Sequence, residues 1–185
     1  ITGFTFQGGT VVDSDQQGMV AITGNSSQAR FDNNRVNDTR RQPFVMSGYV
    51  RGVADHNIFN RDQQVGTNNG VLLQHTSWGN SGSFGDNSWA QADTFGSSEA
   101  FYLEDNEWTS TGAYDFGIDA EDGARFVVRF NTFTNNDDGG HGADSGGRIR
   151  SPRHWEDYQN AFTFNLGGAL SKAIARRGGN GFWWD

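Results

Sequence analysis

Phe126-Val127-Val128-Arg129-Phe130-Asn131-Thr132-Phe133 places apolar residues five and three positions before a single Asn and again two positions after it. Alternation with a period of two marks a half-buried strand, so the stretch reads strand, corner, strand. The pattern recurs in Ala29 to Val36 around Asn34, Gly52 to Phe59 around Asn57, and Phe101 to Trp108 around Asn106. A weaker copy runs from Trp155 to Phe162 around Asn160, with Asp157 interrupting the apolar positions. The five Asn residues are separated by steps of 23, 49, 25 and 29. A period of roughly 20 to 30 residues is that of a solenoid coil. The step of 49 fits one coil carrying a long excursion at about 77–98, rich in Gly, Ser, Asp and Trp. Asn tolerates the left-handed backbone of a sharp corner, so stacked corners are expected to align these side chains in a ladder.

A second series of strand-like runs precedes the corners: Met19 to Thr23, Phe44 to Gly48, Val71 to His75, Phe116 to Ala120 and Ala173 to Arg177. The coil before Asn160 lacks an apolar run here, and Arg148-Ile149-Arg150 is the nearest candidate. Three short strands per coil, stacked in parallel, predict an all-β chain. The fold is a right-handed parallel β-helix of about six coils, with residues 1–185 forming one domain or a segment of a longer helix. The last run, Gly181-Phe182-Trp183-Trp184-Asp185, reads as the strand leading to a further corner. The inward members of Phe182, Trp183 and Trp184 are therefore expected to pack under Phe162 and Tyr158 instead of forming a separate cap, and the open ends to join other copies or further coils.

Composition narrows the partners. With 22 acidic against 14 basic side chains, the net charge of -8 disfavours nucleic acid. No apolar run approaches the ~20 residues of a membrane helix, so no membrane insertion is expected. The absence of Cys excludes disulfides, thiolate metal sites and a Cys nucleophile.

The runs Gly52-Val53-Ala54-Asp55-His56-Asn57-Ile58-Phe59, Phe126 to Phe133, and His141-Gly142-Ala143-Asp144-Ser145-Gly146-Gly147-Arg148 followed by Trp155 to Asn160 carry a resemblance. They resemble a group of secreted bacterial right-handed β-helix proteins of uncharacterised activity. More distantly, the architecture is similar to that of the pectate lyase-like superfamily, which also carries Asn ladders. The resemblance covers nearly the whole chain. It implies an extracellular or cell-surface setting and polysaccharide as the ligand class. Asp55-His56 resembles that family's Asp-His strand element, although turn capping explains the pair as well. Arg150-Ser151-Pro152 resembles the start of its Arg-x-Pro-x-x-Arg element, but Trp155 stands where the second Arg belongs. Pieces similar to polygalacturonase signatures, Asp137-Asp138 and Gly140-His141-Gly142 with Arg148-Ile149-Arg150, fall within a single coil instead of on successive ones.

Stacking the strands that precede each corner brings His75, Asp119, Arg150 and Arg176 together on the first sheet as candidate catalytic groups, expected in one solvent-facing groove. A carboxylate beside Arg and His suits acid-base work on a uronic acid polymer, while a solvated ion-pair ladder is the plainer alternative. Asp119, Glu121 and Asp122, with Asp115, form the acidic run that could hold Ca2+, or else a solvated turn. Trp78 and Trp89, with Phe84 and Phe95, are aromatic residues in the excursion that could stack on sugar rings or anchor the loop. His141, Asp144 and Arg153 add polar groups for carbohydrate. The function expected is an extracellular polysaccharide-binding β-helix. If it is also an enzyme, the chemistry is that of a polysaccharide lyase or glycoside hydrolase. The alternative is a structural or adhesive rod or filament subunit assembling through open ends.

Overall fold

The computed structural model describes residues 1–8, 18–38, 42–61, 71–74, 94–111, 115–140, 152–166, 173–176 and 178–184. Among them the strands are, in chain order, β1 (Thr5–Gln7), β2 (Val20–Asp32), β3 (Arg35–Asn37), β4 (Phe44–Asp55), β5 (Ile58–Arg61), β6 (Val71–Gln74), β7 (Phe101–Glu104) and β8 (Glu107–Ser110). There follow β9 (Asp115–Glu121), β10 (Arg125–Arg129), β11 (Thr132–Thr134), β12 (Asn136–Gly140), β13 (His154–Tyr158), β14 (Ala161–Thr163), β15 (Ile174–Ala175) and β16 (Asn180–Trp184). No helix occurs among the described residues, so none there is long and apolar enough to cross a membrane.

Every strand pair is parallel, and the pairs build three faces of a β-solenoid. The first face runs β2-β4-β6-β9-β12-β15 and the second β2-β4-β7-β10-β13-β16. Both share β2 and β4 because these two long strands continue through the bend that later coils make with separate strands. The third face runs β1-β3-β5-β8-β11-β14. Among the described residues each face thus carries six strands.

The core is a set of rungs in register. On the third face, the residue two places after each corner points inward, giving Phe6, Val36, Phe59, Trp108, Phe133 and Phe162. Their rings stack at 5.0 Å for Phe59–Trp108 and 4.7 Å for both Trp108–Phe133 and Phe133–Phe162. On the second face, the inward row three places before the corner is Phe31, Ala54, Leu103, Val128, Asp157 and Trp183. A buried aromatic or aliphatic rung stabilises by roughly 1.5–3 kcal/mol, and stacking like on like repeats the gain at each coil.

The corner Asn residues form the expected ladder, but for a different reason. The left-handed residue is the one before each ladder Asn: Asn33, His56, Asp105, Phe130 and Gln159 have φ between 54° and 60°. The Asn is there for its side chain. Asn106 donates from both its backbone N–H and Nδ2 to Asn131 Oδ1, at 2.9 and 3.1 Å, and Nδ2 also donates to the Ala54 carbonyl at 2.8 Å. Asn34, Asn57 and Asn131 repeat this toward the next Asn, and each is nearly or fully buried. Only an amide offers an acceptor to the coil before and donors to the coil after.

A second correction concerns the coil before Asn160. Its first-face strand is β12, Asn136-Asp137-Asp138-Gly139-Gly140, which is free of apolar residues as the sequence suggests and pairs with β9 and β15. Arg148-Ile149-Arg150 lies outside the described residues. Backbone pairing decides the strand, and the inward Asp138 is compensated by an Arg from the next coil, which no local pattern reveals.

Candidate functional site

The register of the first face places Asp119 beside Leu72 and Gly139, with Ala175 beyond Gly139. Gly139 thus stands in this row, and Arg176 follows one residue after it. His75, Arg150, Trp78, Trp89, Phe84, His141 and Asp144 lie outside the described residues. Asp119, Glu121 and Asp122 are buried, at 8%, 1% and 5% exposure, and so do not line an open groove. Asp122, at φ 53°, makes the bend between the first and second faces, closed by the Ala124 N–H donating to the Glu121 carbonyl at 3.1 Å. Among the described residues no three His, Asp or Glu side chains are grouped to hold a metal ion. Arg153 is half-buried, next to β13.

Arg176 turns inward. Its Nη2 donates to Asp138 Oδ2 at 2.5 Å and to both Asp157 oxygens at 2.8 and 2.9 Å, and its Nη1 donates to the Asp138 carbonyl at 3.0 Å. The guanidinium lies 4.9 Å from the Phe126 ring centre and 5.5 Å from that of Trp155, a cation packed against two aromatic rings. Both Asp side chains have no exposed surface. Burial and the neighbouring Asp138 carboxyl push Asp157 well above the usual carboxylate range, against the pull of Arg176. Burial works against the Arg176 charge, but the two carboxylates outweigh it and raise its pKa. This triad explains why Asp157 breaks the fifth repeat. Closed to solvent, it pins the coil of β15 and β16 to the coil above and offers no reacting atom to a ligand.

The outer side of the second face is open. Two places before each corner stand Asp32, Asp55, Glu104, Arg129, Tyr158 and Trp184, one per coil. Arg129 Nε donates to Glu104 Oε2 at 2.6 Å and Nη1 to the Tyr158 hydroxyl at 3.0 Å, with the guanidinium 4.9 Å from the Tyr102 ring centre. Burial opposes the Arg129 charge, but the hydrogen bonds to Tyr158 and Glu104 raise its pKa. At the earlier coils, Asp55 Oδ2 accepts from Arg30 Nη2 at 2.8 Å and lies 3.0 Å from His56 Nδ1. The exposed His56 is the left-handed corner residue, so this pair does cap a turn.

One border of the strip is the end of the excursion. The Gly96 N–H donates to Glu156 Oε1 at 2.8 Å, the Tyr102 hydroxyl donates to the Ser97 carbonyl at 2.6 Å, and Arg51 pairs with Glu99. Phe95 packs on His154 and Phe182, at 4.5 and 5.4 Å between ring centres. Phe95 thus anchors the loop, while its 45% exposure leaves one side open. The other border is the corner row, where Phe130 is 44% exposed and meets Tyr158 edge-on. At the last coil β16 pairs with β13, so Trp183 continues the inward row and Trp184 the outward one. Phe182 is an outward member, facing Tyr158 and Phe95. Trp183 and Trp184 do share a cavity of about 190 Å³ with Phe162 and Tyr158.

The strip of Glu104, Arg129 and Tyr158 was not singled out from the sequence. The signal was present in the same repeat, at the outward positions two places before each Asn. Compared with protein-family models, with curated proteins and with solved structures, the chain matches none.

Proposed function

We propose that this chain is an extracellular or cell-surface β-helix protein, of the secreted bacterial, pectate lyase-like kind that its repeats resemble, and that it binds polysaccharide along the outer side of its second face. The observation that carries the reading is the Arg129 set: a guanidinium fixed by Glu104 and Tyr158, lying over Tyr102, between the Phe95 loop and the Phe130 corner. Aromatic rings stack on the apolar faces of sugars, and a charged fork hydrogen-bonds carboxylates and hydroxyls. The strip offers both in one line along the coil axis. Binding is the activity this geometry supports, and no cleavage step is assigned to it. The test is electrophoresis through gels containing polygalacturonate. The reading expects retardation of the protein and at least a tenfold weaker effect for Arg129→Ala. Unretarded migration, or retardation unchanged in that variant, would refute it.

A second reading, a rod or filament subunit, is favoured by β16, every residue of which is exposed. The ladder restricts it. Phe4 occupies the corner position of the first coil and its N–H donates to Asn34 Oδ1, but it brings no side-chain carbonyl of its own. Identical copies joined end to end would therefore interrupt the ladder and depend on strand pairing and aromatic contact alone. Sedimentation that shifts to larger species with concentration supports this reading, and a monomer at high concentration contradicts it.

A further inference from the structure

We infer that the third face carries a separate binding groove for an uncharged glycan chain lying along the solenoid axis. The groove has a volume of about 230 Å³, and it is lined by Gln7, Asn37, Asn60 and Thr109, with Asp38 and Arg61 beside them. The first four belong to one outward row, three places after each corner, on adjacent strands β1, β3, β5 and β8. Three of these side chains, ending on Asp38, form a directed chain. Asn60 Nδ2 donates to Asn37 Oδ1 at 3.3 Å, Asn37 Nδ2 to Gln7 Oε1 at 3.2 Å, and Gln7 Nε2 to Asp38 Oδ2 at 3.3 Å.

The chain fixes the orientation of each amide without exhausting it. A primary amide has two N–H donors and two acceptor lone pairs, so each Asn keeps a donor and an acceptor for a ligand. The rungs repeat at the strand spacing of ~4.8 Å, and four of them span roughly 14 Å. That repeat is close to the rise of an extended hexopyranose chain, so successive sugars can present equivalent hydroxyls to successive rungs. A hydroxyl both donates and accepts, which is what a spare N–H beside a spare lone pair requires.

Charge selects the ligand class. The amides and Thr109 are neutral, and Asp38 and Arg61 carry opposite signs, so the groove has no net charge of its own. On a chain of net charge -8 it holds no advantage for an anionic polymer. The lining also lacks the aromatic rings of the second face.

Affinity electrophoresis in hydroxyethylcellulose tests this, with the double variant Asn37→Ala/Asn60→Ala and with Arg129→Ala. Retardation of the wild type is expected, with at least a tenfold loss of affinity in the double variant and none in Arg129→Ala. The single variant Asn60→Asp, which keeps the shape but replaces donors with charge, is expected to lose binding as well. Thermal melts of the variants confirm that the fold persists. Absence of retardation in the wild type, or retardation that survives in Asn60→Asp and the double variant, overturns the inference. Because polygalacturonate binding is read through Arg129 on another face, that reading can stand or fall independently.

Discussion

Asp138 and Asp157 place carboxyl groups where other coils place Ile118 and Val128, and Arg176 is the reason the core accepts them. Removing one partner of a buried ion group leaves an uncompensated charge, so Arg176→Met is expected to cost about 3–5 kcal/mol in urea denaturation at neutral pH. Asp157 itself gives a pH signature. Its folded value is raised above the ordinary 3.8, so between those two values the folded state holds a proton that the unfolded state has lost. Stability therefore falls as pH rises through that window and is relatively higher on its acid side. Asp157→Asn imitates the protonated group and is expected to remove this slope while changing neutral-pH stability by less than about 1 kcal/mol. A slope that survives in the variant would show that another group produces it. For the ladder, Asn106→Ala strips partners from Asn57, Ala54 and Asn131 at once, and chemical denaturation is expected to show a loss of roughly 3 kcal/mol.

Among the elements, the repeat was legible because a ladder requires the same residue at each corner, and the apolar rungs fall at fixed distances from it. The left-handed residues were not, since Phe130 and Gln159 are unusual in that conformation and only the surrounding coils hold them there. β12 was hidden for a related reason: Asn136-Asp137-Asp138-Gly139-Gly140 reads locally as a turn, and its partner Arg176 lies 38 residues away. Of the first-face cluster only Asp119 and Arg176 lie among the described residues, and both are buried side chains, Arg176 within the ion triad. β2 and β4 bend instead of breaking, and Gly52 shows how closely they approach. At φ 151°, a Cβ there would sit 1.9 Å from the Ala29 carbonyl oxygen. Gly52→Ala should force these strands apart, at a cost on the order of 3 kcal/mol or more in thermal and chemical melts. Near-wild-type stability would show that the bend has slack which this contact excludes.

For the whole molecule, the faces divide the work: ladder and rungs hold the coils together, the triad pins the last coil, and two outer strips present different chemistry. The Arg129 strip is charged and aromatic, while the Asn37–Asn60 strip is neutral and amide-lined. The outer strips were less legible than the core because outward positions need not repeat, so Tyr102, Arg129 and Tyr158 fall into line only once the coils are stacked. Titration of the isotope-labelled protein with oligogalacturonate, followed through its backbone amide resonances, is the most direct test of the proposed polysaccharide site. Saturable shifts centred on Tyr102, Glu104, Arg129 and Tyr158, absent in Arg129→Ala, are expected. Shifts confined to other faces, or none at all, would contradict it.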